Sequence, residues 1–159
     1  MPGGTRKTIA RFLVIGILVF DQLTKYIISQ AIPPGESIPI IKNVFHITYI
    51  LNRGAAFGMF KNQMYFFIAT AVLAIIFILL ILRRRRRWQE EIALYLILSG
   101  AISNLIDRIR LGAVIDFLDF RIWPVFNIAD SAITIGAVLL AIYILKRPAK
   151  SQQEAMRTR

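Results

Sequence analysis

Two carboxylates, Asp116 and Asp130, stand 14 residues apart in Val114-Ile115-Asp116-Phe117 and Phe126-Asn127-Ile128-Ala129-Asp130, at the brink of the last apolar run of the chain. An ionisable group in or beside hydrocarbon is costly, so an acid held there is a functional-site candidate by default. Two of them suit acid–base chemistry at a membrane surface, one taking a proton while the other holds one. Other chemistries have less to work with. Cysteine is absent, which removes thiol catalysis, disulfides and thiolate metal sites together. The single histidine, His46, leaves no histidine pair for a metal, although a His–Asp pair stays open. Lys25 is the sole core lysine that could serve as a base, and no serine is obviously paired with it.

These acids need a scaffold. The chain has 159 residues, is 57% hydrophobic and has a mean hydropathy of +0.61, the mark of an integral membrane protein. Residues 1–149 read as one domain and 150–159 as a polar tail with too little apolar surface to fold. Met64 to Leu82 is apolar apart from Thr70 and the amphipathic Tyr65, and as a helix it covers about 28 Å, enough for a bilayer core of about 30 Å. Ile128 to Leu145 is a second span, and polar-bearing spans run over about 9–32 and 91–109. The first span, with its basic start and Ser29-Gln30-Ala31, also resembles a cleavable secretory signal, though Asp21 and Lys25 make a poor boundary for one.

Charge sets the orientation. The net charge of +11 is concentrated beside apolar runs: Arg6, Lys7 and Arg11; Arg83 to Arg87; Lys146, Arg147, Lys150, Arg157 and Arg159. That is the positive-inside pattern, reinforced by anionic lipid, and it argues against nucleic acid as a partner. Both termini and the arginine loop are then cytoplasmic, with residues 30–63 and 110–127 outside. The outer segment becomes β-like over 36–58, through Val44-Phe45-His46-Ile47-Thr48-Tyr49-Ile50-Leu51, and a small sheet on the outer leaflet is the simplest reading. Asn52-Arg53-Gly54 follows as a turn, and Gly54-Ala55-Ala56-Phe57-Gly58 permits close backbone approach.

The polar residues within the spans converge. Gly100, Asn104, Asp107 and Arg108 share one helix face, and so do Asn127, Asp130, Ser131 and Thr134. Helix rise places most of them in the outer half of the membrane. Each also has a structural reading. Asp21 and Lys25 form an i, i+4 pair, Asp107 and Arg108 are neighbouring charges, Asn104 can bond another helix, and Gly100 and Ser103 allow close packing. Asn127-x-x-Asp130 fits an N-terminal helix cap, Asp116 and Asp119 fit interfacial loop acids, and His46 fits an interfacial strand. The same acids would also serve a proton-coupled transporter or channel, but four short spans without a repeat speak against one. A scaffold would have no need of two acids at one depth.

Together the blocks Asp21-Gln22-Leu23-Thr24-Lys25, Asn52-Arg53-Gly54-Ala55-Ala56-Phe57, Gly100-Ala101-Ile102-Ser103-Asn104-Leu105-Ile106-Asp107-Arg108, Val114-Ile115-Asp116-Phe117 and Phe126-Asn127-Ile128-Ala129-Asp130 resemble, in order, the bacterial lipoprotein signal peptidases (signal peptidase II). Ser103 departs from the family, which usually has a second glycine there. The resemblance implies an all-α membrane fold of four transmembrane helices with a small extracytoplasmic β-cradle. It implies an aspartic endopeptidase of the bacterial plasma membrane, needing neither metal nor organic cofactor. Its substrates would be prolipoproteins whose cysteine carries a diacylglyceryl group. Asp116 and Asp130 would then be catalytic. Asp21, Lys25, Asn52, Gly54, Gly100, Asn104, Arg108, Asn127 and Ala129 would bind substrate or support the site.

Overall fold

The computed structural model describes residues 3–54, 63–84 and 87–146. Of the glycine-rich stretch, Ala55, Ala56, Phe57 and Gly58 lie outside them, as do Arg85, Arg86 and the tail 150–159. Among the described residues, four helices are long and apolar enough to cross a membrane: α1 (Gly3–Ala31), α2 (Met64–Leu82), α3 (Trp88–Leu111) and α4 (Ile128–Leu145). Helix α3 packs against α1, α2 and α4 and is the most buried of the four, so polar residues on its inner face are shielded from lipid. Helices α1 and α2 turn large apolar side chains outward instead, among them Phe12, Val19, Phe20, Phe66, Leu73 and Phe77.

A three-stranded antiparallel sheet caps one end of the bundle, in the order β1 (Ser37–Ile41), β2 (Phe45–Asn52), β3 (Val114–Asp119). The first two strands fall within the stretch 36–58 expected to be β-like. The third corrects the loop reading of Asp116 and Asp119, because Val114–Asp119 pairs with β2 along its length. Helix α3 can deliver the chain to β3 within two residues because Gly112 stops it at φ 67°, a left-handed C-terminal stop that glycine adopts without strain. Its N–H bonds back to Arg108 O at 3.0 Å.

One irregularity aims the sheet at the site. His46 and Ile47 stand opposite Asp119 and Leu118, but Ile50 and Asn52 stand opposite Asp116 and Val114. Thr48 and Tyr49 together thus face the single residue Phe117, a β-bulge. Because side chains alternate along a strand, this extra residue puts Asn52 on the same face as Asp116. A core of Ile32, Tyr49, Ile115 and Phe117, flanked by Ile28, Ile47, Leu118 and Ile128, then locks the sheet onto the ends of α1 and α4.

Helices α3 and α4 meet at backbone contact distance. A Cβ added at Gly136 would lie 2.7 Å from Ala93 O and 2.8 Å from Ile97 Cγ1, whereas one at Gly16 would meet nothing within 4 Å. Gly136→Ala should therefore destabilise the fold by about 1–3 kcal/mol, as overpacking generally does. Gly16→Ala should stabilise it by up to about 1 kcal/mol through helix propensity. Thermal unfolding in detergent checks both; equal midpoints would contradict this packing.

Candidate active site

Strand β3 presents Asp116 and the first turn of α4 presents Asp130. Asn127 touches both. Its Nδ2 donates to Asp116 Oδ1 at 2.7 Å, its backbone N–H to Asp130 Oδ2 at 3.3 Å, and its Oδ1 accepts from Asp130 N at 2.8 Å. The last two contacts form a capping box, so the helix-cap reading of Asn127 is correct, and the same side chain also reaches Asp116. The other carboxylate oxygens are also engaged: Asn52 Nδ2 donates to Asp116 Oδ2 at 2.9 Å, and Asn104 Nδ2 to Asp130 Oδ1 at 2.7 Å.

The three asparagines cannot flip freely. Each Oδ1 is held by a group that can only donate: Gly54 N for Asn52 at 3.0 Å, Lys25 Nζ for Asn104 at 3.0 Å, and Asp130 N for Asn127 at 2.8 Å. Each amide NH₂ is thereby aimed at a carboxylate. Gly54 takes part through its backbone N–H, which closes a tight turn on Asn52.

Beneath the acids lies a buried ion cluster. Lys25 Nζ is 2.7 Å from Asp21 Oδ2 and 2.8 Å from Asp107 Oδ2, with all three side chains at most 3% exposed. The i, i+4 pair expected from the sequence is present, but Asp107 pairs with Lys25, a partner its spacing did not reveal. Arg108 lies over the Phe67 ring at 5.4 Å, with its charge facing Asp130, Asp116 and Asp107. Ser103 was expected only to pack. Its hydroxyl donates to Asp21 Oδ2 at 2.7 Å and accepts from Gln22 Nε2 at 3.0 Å. Gln22, which sequence reasoning passed over, also donates to Asp107 Oδ1 at 2.8 Å. Ala129 contributes its backbone N–H, 2.8 Å from Asp21 Oδ1. Gly100 contributes its lack of a side chain, since a Cβ would stand 2.3 Å from Ala129 O.

Asp119 and His46 sit apart. Thr48 and Arg121 donate to Asp119, and Ser37 bonds His46 Nδ1 at 3.0 Å. The register partner of His46 is Asp119, not either candidate acid. Burial tends to raise the pKa of Asp119, but the Arg121 N–H, Thr48 and the Arg121 guanidinium outweigh it and hold this acid below the usual range. Asp116 goes the other way. Burial, and then the charge of Asp130, push it up to about 7 against the hydrogen bonds of Asn52 and Asn127. An acid that carries its proton near neutrality, beside a second acid, is equipped for proton transfer.

Residues 13–146 match the family model described as signal peptidase (SPase) II. The chain belongs to the signal peptidase II family. It is 48% identical over 133 residues to the lipoprotein signal peptidase of Halothermothrix orenii, covering 83% of this chain and 92% of that one. The lipoprotein signal peptidase of Clostridioides difficile is 46% identical over 143 residues, covering 88% and 97%. A bacterial membrane enzyme solved by the in meso method superposes with a TM-score of 0.80 at 36% identity, over 92% of this chain and 90% of that one. Membership in the signal peptidase II family makes the chain a multi-pass membrane protease of signal-peptide processing.

The raised pKa of Asp116 has a consequence for stability. The folded protein binds this proton more tightly than the unfolded chain, so the contribution is full below the ordinary value of 3.8 and lost as pH rises through about 7. Asp116→Asn should flatten that dependence. The thermal midpoint of the wild-type protein should fall more steeply than that of the variant between about pH 4 and pH 8. Parallel curves would contradict the burial of a titrating acid here.

Proposed function

We propose that this protein is an aspartic endopeptidase that removes signal peptides from diacylglyceryl-modified prolipoproteins, cutting immediately before the lipidated cysteine. The observation that carries the reading is the pairing of Asp116 and Asp130, from separate elements, through one shared residue, Asn127. Neighbouring carboxylates resist double ionisation and share a proton. Asp116, pushed to about 7, is the partner that holds it, and Asp130 is the base.

In the reaction, Asp130 takes a proton from water as its oxygen bonds to the carbonyl carbon preceding the cysteine. Asp116 donates a hydrogen bond and then its proton to the carbonyl oxygen, giving a tetrahedral diol. Collapse re-forms the carbonyl as Asp116 takes back a hydroxyl proton, the C–N bond breaks, and the amine leaves with the proton that Asp130 had collected. Asn52, Asn104 and Asn127 orient the acids. Asp21 and Lys25 support them from below, Gly54 and Gly100 allow backbone approach, Ala129 anchors the start of α4, and Arg108 places a cation beside the developing charge. No metal or organic cofactor takes part.

The sheet and both acids lie at the end where α1 and α3 finish and α2 and α4 begin. Basic residues Arg83, Arg84 and Arg87 lie at the opposite end, between α2 and α3. By the positive-inside rule that end is cytoplasmic, as are both termini, and the dyad faces the outer leaflet of the bacterial plasma membrane. There the acyl chains of a substrate stay in lipid while its peptide bond reaches the acids.

Purified protein should cleave a diacylglyceryl prolipopeptide before the modified cysteine, with or without chelator. Asp116→Asn and Asp130→Asn should each lose at least about 10³-fold in kcat while remaining folded, and exposed Glu36→Gln should retain activity. Substantial turnover by either variant would sink the dyad. Lipid should matter too, since acyl burial supplies about 0.8 kcal/mol per CH₂. The unmodified peptide should therefore show a kcat/KM lower by at least about tenfold, and equal turnover would rule out lipid recognition.

A further inference from the structure

Two backbone N–H groups connect the ion cluster to the reacting acids. Ile115 and Ala129 immediately precede Asp116 and Asp130 in the chain. Ile115 N donates to Asp107 Oδ2 at 3.3 Å, and Ala129 N donates to Asp21 Oδ1 at 2.8 Å. The two accepting carboxylates meet on one ammonium, Lys25 Nζ, at 2.8 and 2.7 Å. An unbroken path thus runs from the strand of Asp116 through Asp107, Lys25 and Asp21 to the helix start of Asp130. A third arm leads from Lys25 Nζ through Asn104, whose Nδ2 holds Asp130 Oδ1. Those three partners take up the three donors of the ammonium.

We propose that Lys25 is a positioning residue that sets the separation of Asp116 and Asp130, and through it the gap between the two proton affinities of the dyad. This rests on the dyad reading above and gives the ion cluster a role within it. A salt bridge that merely joined α1 to α3 would need only Lys25 and Asp107. Here each acid spends a second contact on the backbone next to a reacting carboxylate. Rotation of the acids is also blocked: Ser103 holds Asp21 Oδ2 and Gln22 holds Asp107 Oδ1. Serine at 103 therefore adds a brace that glycine lacks.

Separation matters because two acids sharing a proton titrate as a coupled pair, and their apparent values spread as the acids approach. Among the described residues, the charged groups facing the dyad are Lys25 and Asp21 from α1 and Arg108 from α3, with Asp107 behind them on Lys25 and Arg108. Changing one of those charges moves both limbs of a pH–rate profile the same way. Changing the separation moves the limbs toward or away from each other.

The test is the pH dependence of kcat for the full-length enzyme in detergent with a diacylglyceryl prolipopeptide. Lys25→Arg keeps the charge but replaces a compact ammonium with a wide fork. It should bring the two limbs at least about half a pH unit closer and lower kcat about tenfold or more, with KM within about twofold. Asp107→Asn, which still offers Ile115 N–H an acceptor but no charge to Lys25, should narrow the profile as well. Limb positions do not depend on how much enzyme is folded, so a poorly folding variant still reports. Wild-type spacing of the limbs in either variant, whatever its kcat, would overturn the proposal and leave the dyad standing. Turnover retained by Asp116→Asn would instead bring down both.

Discussion

A charge inside a membrane helix bundle has to find its counter-charge within the protein, and much of this fold follows from satisfying Lys25. Its side chain is 2% exposed and sits in the last two turns of α1, six residues before Ala31, buried against the neighbouring helices. Removing one partner from a buried pair typically costs about 3–5 kcal/mol, because the survivor is left uncompensated. Asp21 and Asp107 meet that demand, and their remaining lone pairs need donors in turn. Those donors are Ser103, Gln22 and the backbone of Ile115 and Ala129. Satisfying one cation thereby ties three helices and a strand together at one depth.

Above this cluster the surroundings separate acids by task. Asp116 and Asp119 sit on the same strand, yet the first is pushed up to about 7 and the second is held below the usual range. Both are buried. Burial acts upward on each; at Asp116 the charge of a second acid reinforces it, whereas at Asp119 the hydrogen bonds of Arg121 and Thr48 and the Arg121 charge at 2.9 Å outweigh it. Asp119 can only be a fixed charge that closes the turn at Arg121, whereas Asp116 can exchange a proton in the neutral range. The asparagines add direction, since amides that cannot flip present fixed donors to the carboxylates without adding charge.

How much of this was legible in the sequence depended on the range of the interaction. The spans Met64–Leu82 and Ile128–Leu145 were readable to the residue because uninterrupted apolar runs end abruptly. Helix α3 extends past the expected 91–109 to Trp88–Leu111, where polar ends obscured its limits. Local motifs were also readable: the Asp21–Lys25 pair and the Asn127–Asp130 cap each depend on helical spacing alone. Strand β3 was not, because a six-residue stretch becomes a strand only by pairing with β2, more than 60 residues earlier. Nor was the link from Lys25 to Asp107, or the hydrogen bonds of Gln22 and Ser103, all of which cross between α1 and α3. The family resemblance named candidate supporting residues, and the geometry shows what each of them touches.

At the centre of this account is the claim that Asp116 and Asp130 act as one unit. A double-mutant cycle on kcat for peptide cleavage, using Asp116→Asn, Asp130→Asn and the double variant, measures that directly. Acids that share a proton are each ineffective alone, so the double variant should be no more than about threefold slower than the slower single variant. Losses that multiply, with the double variant slower by the product of the two single effects, would show two independent contributions and contradict the shared-proton dyad.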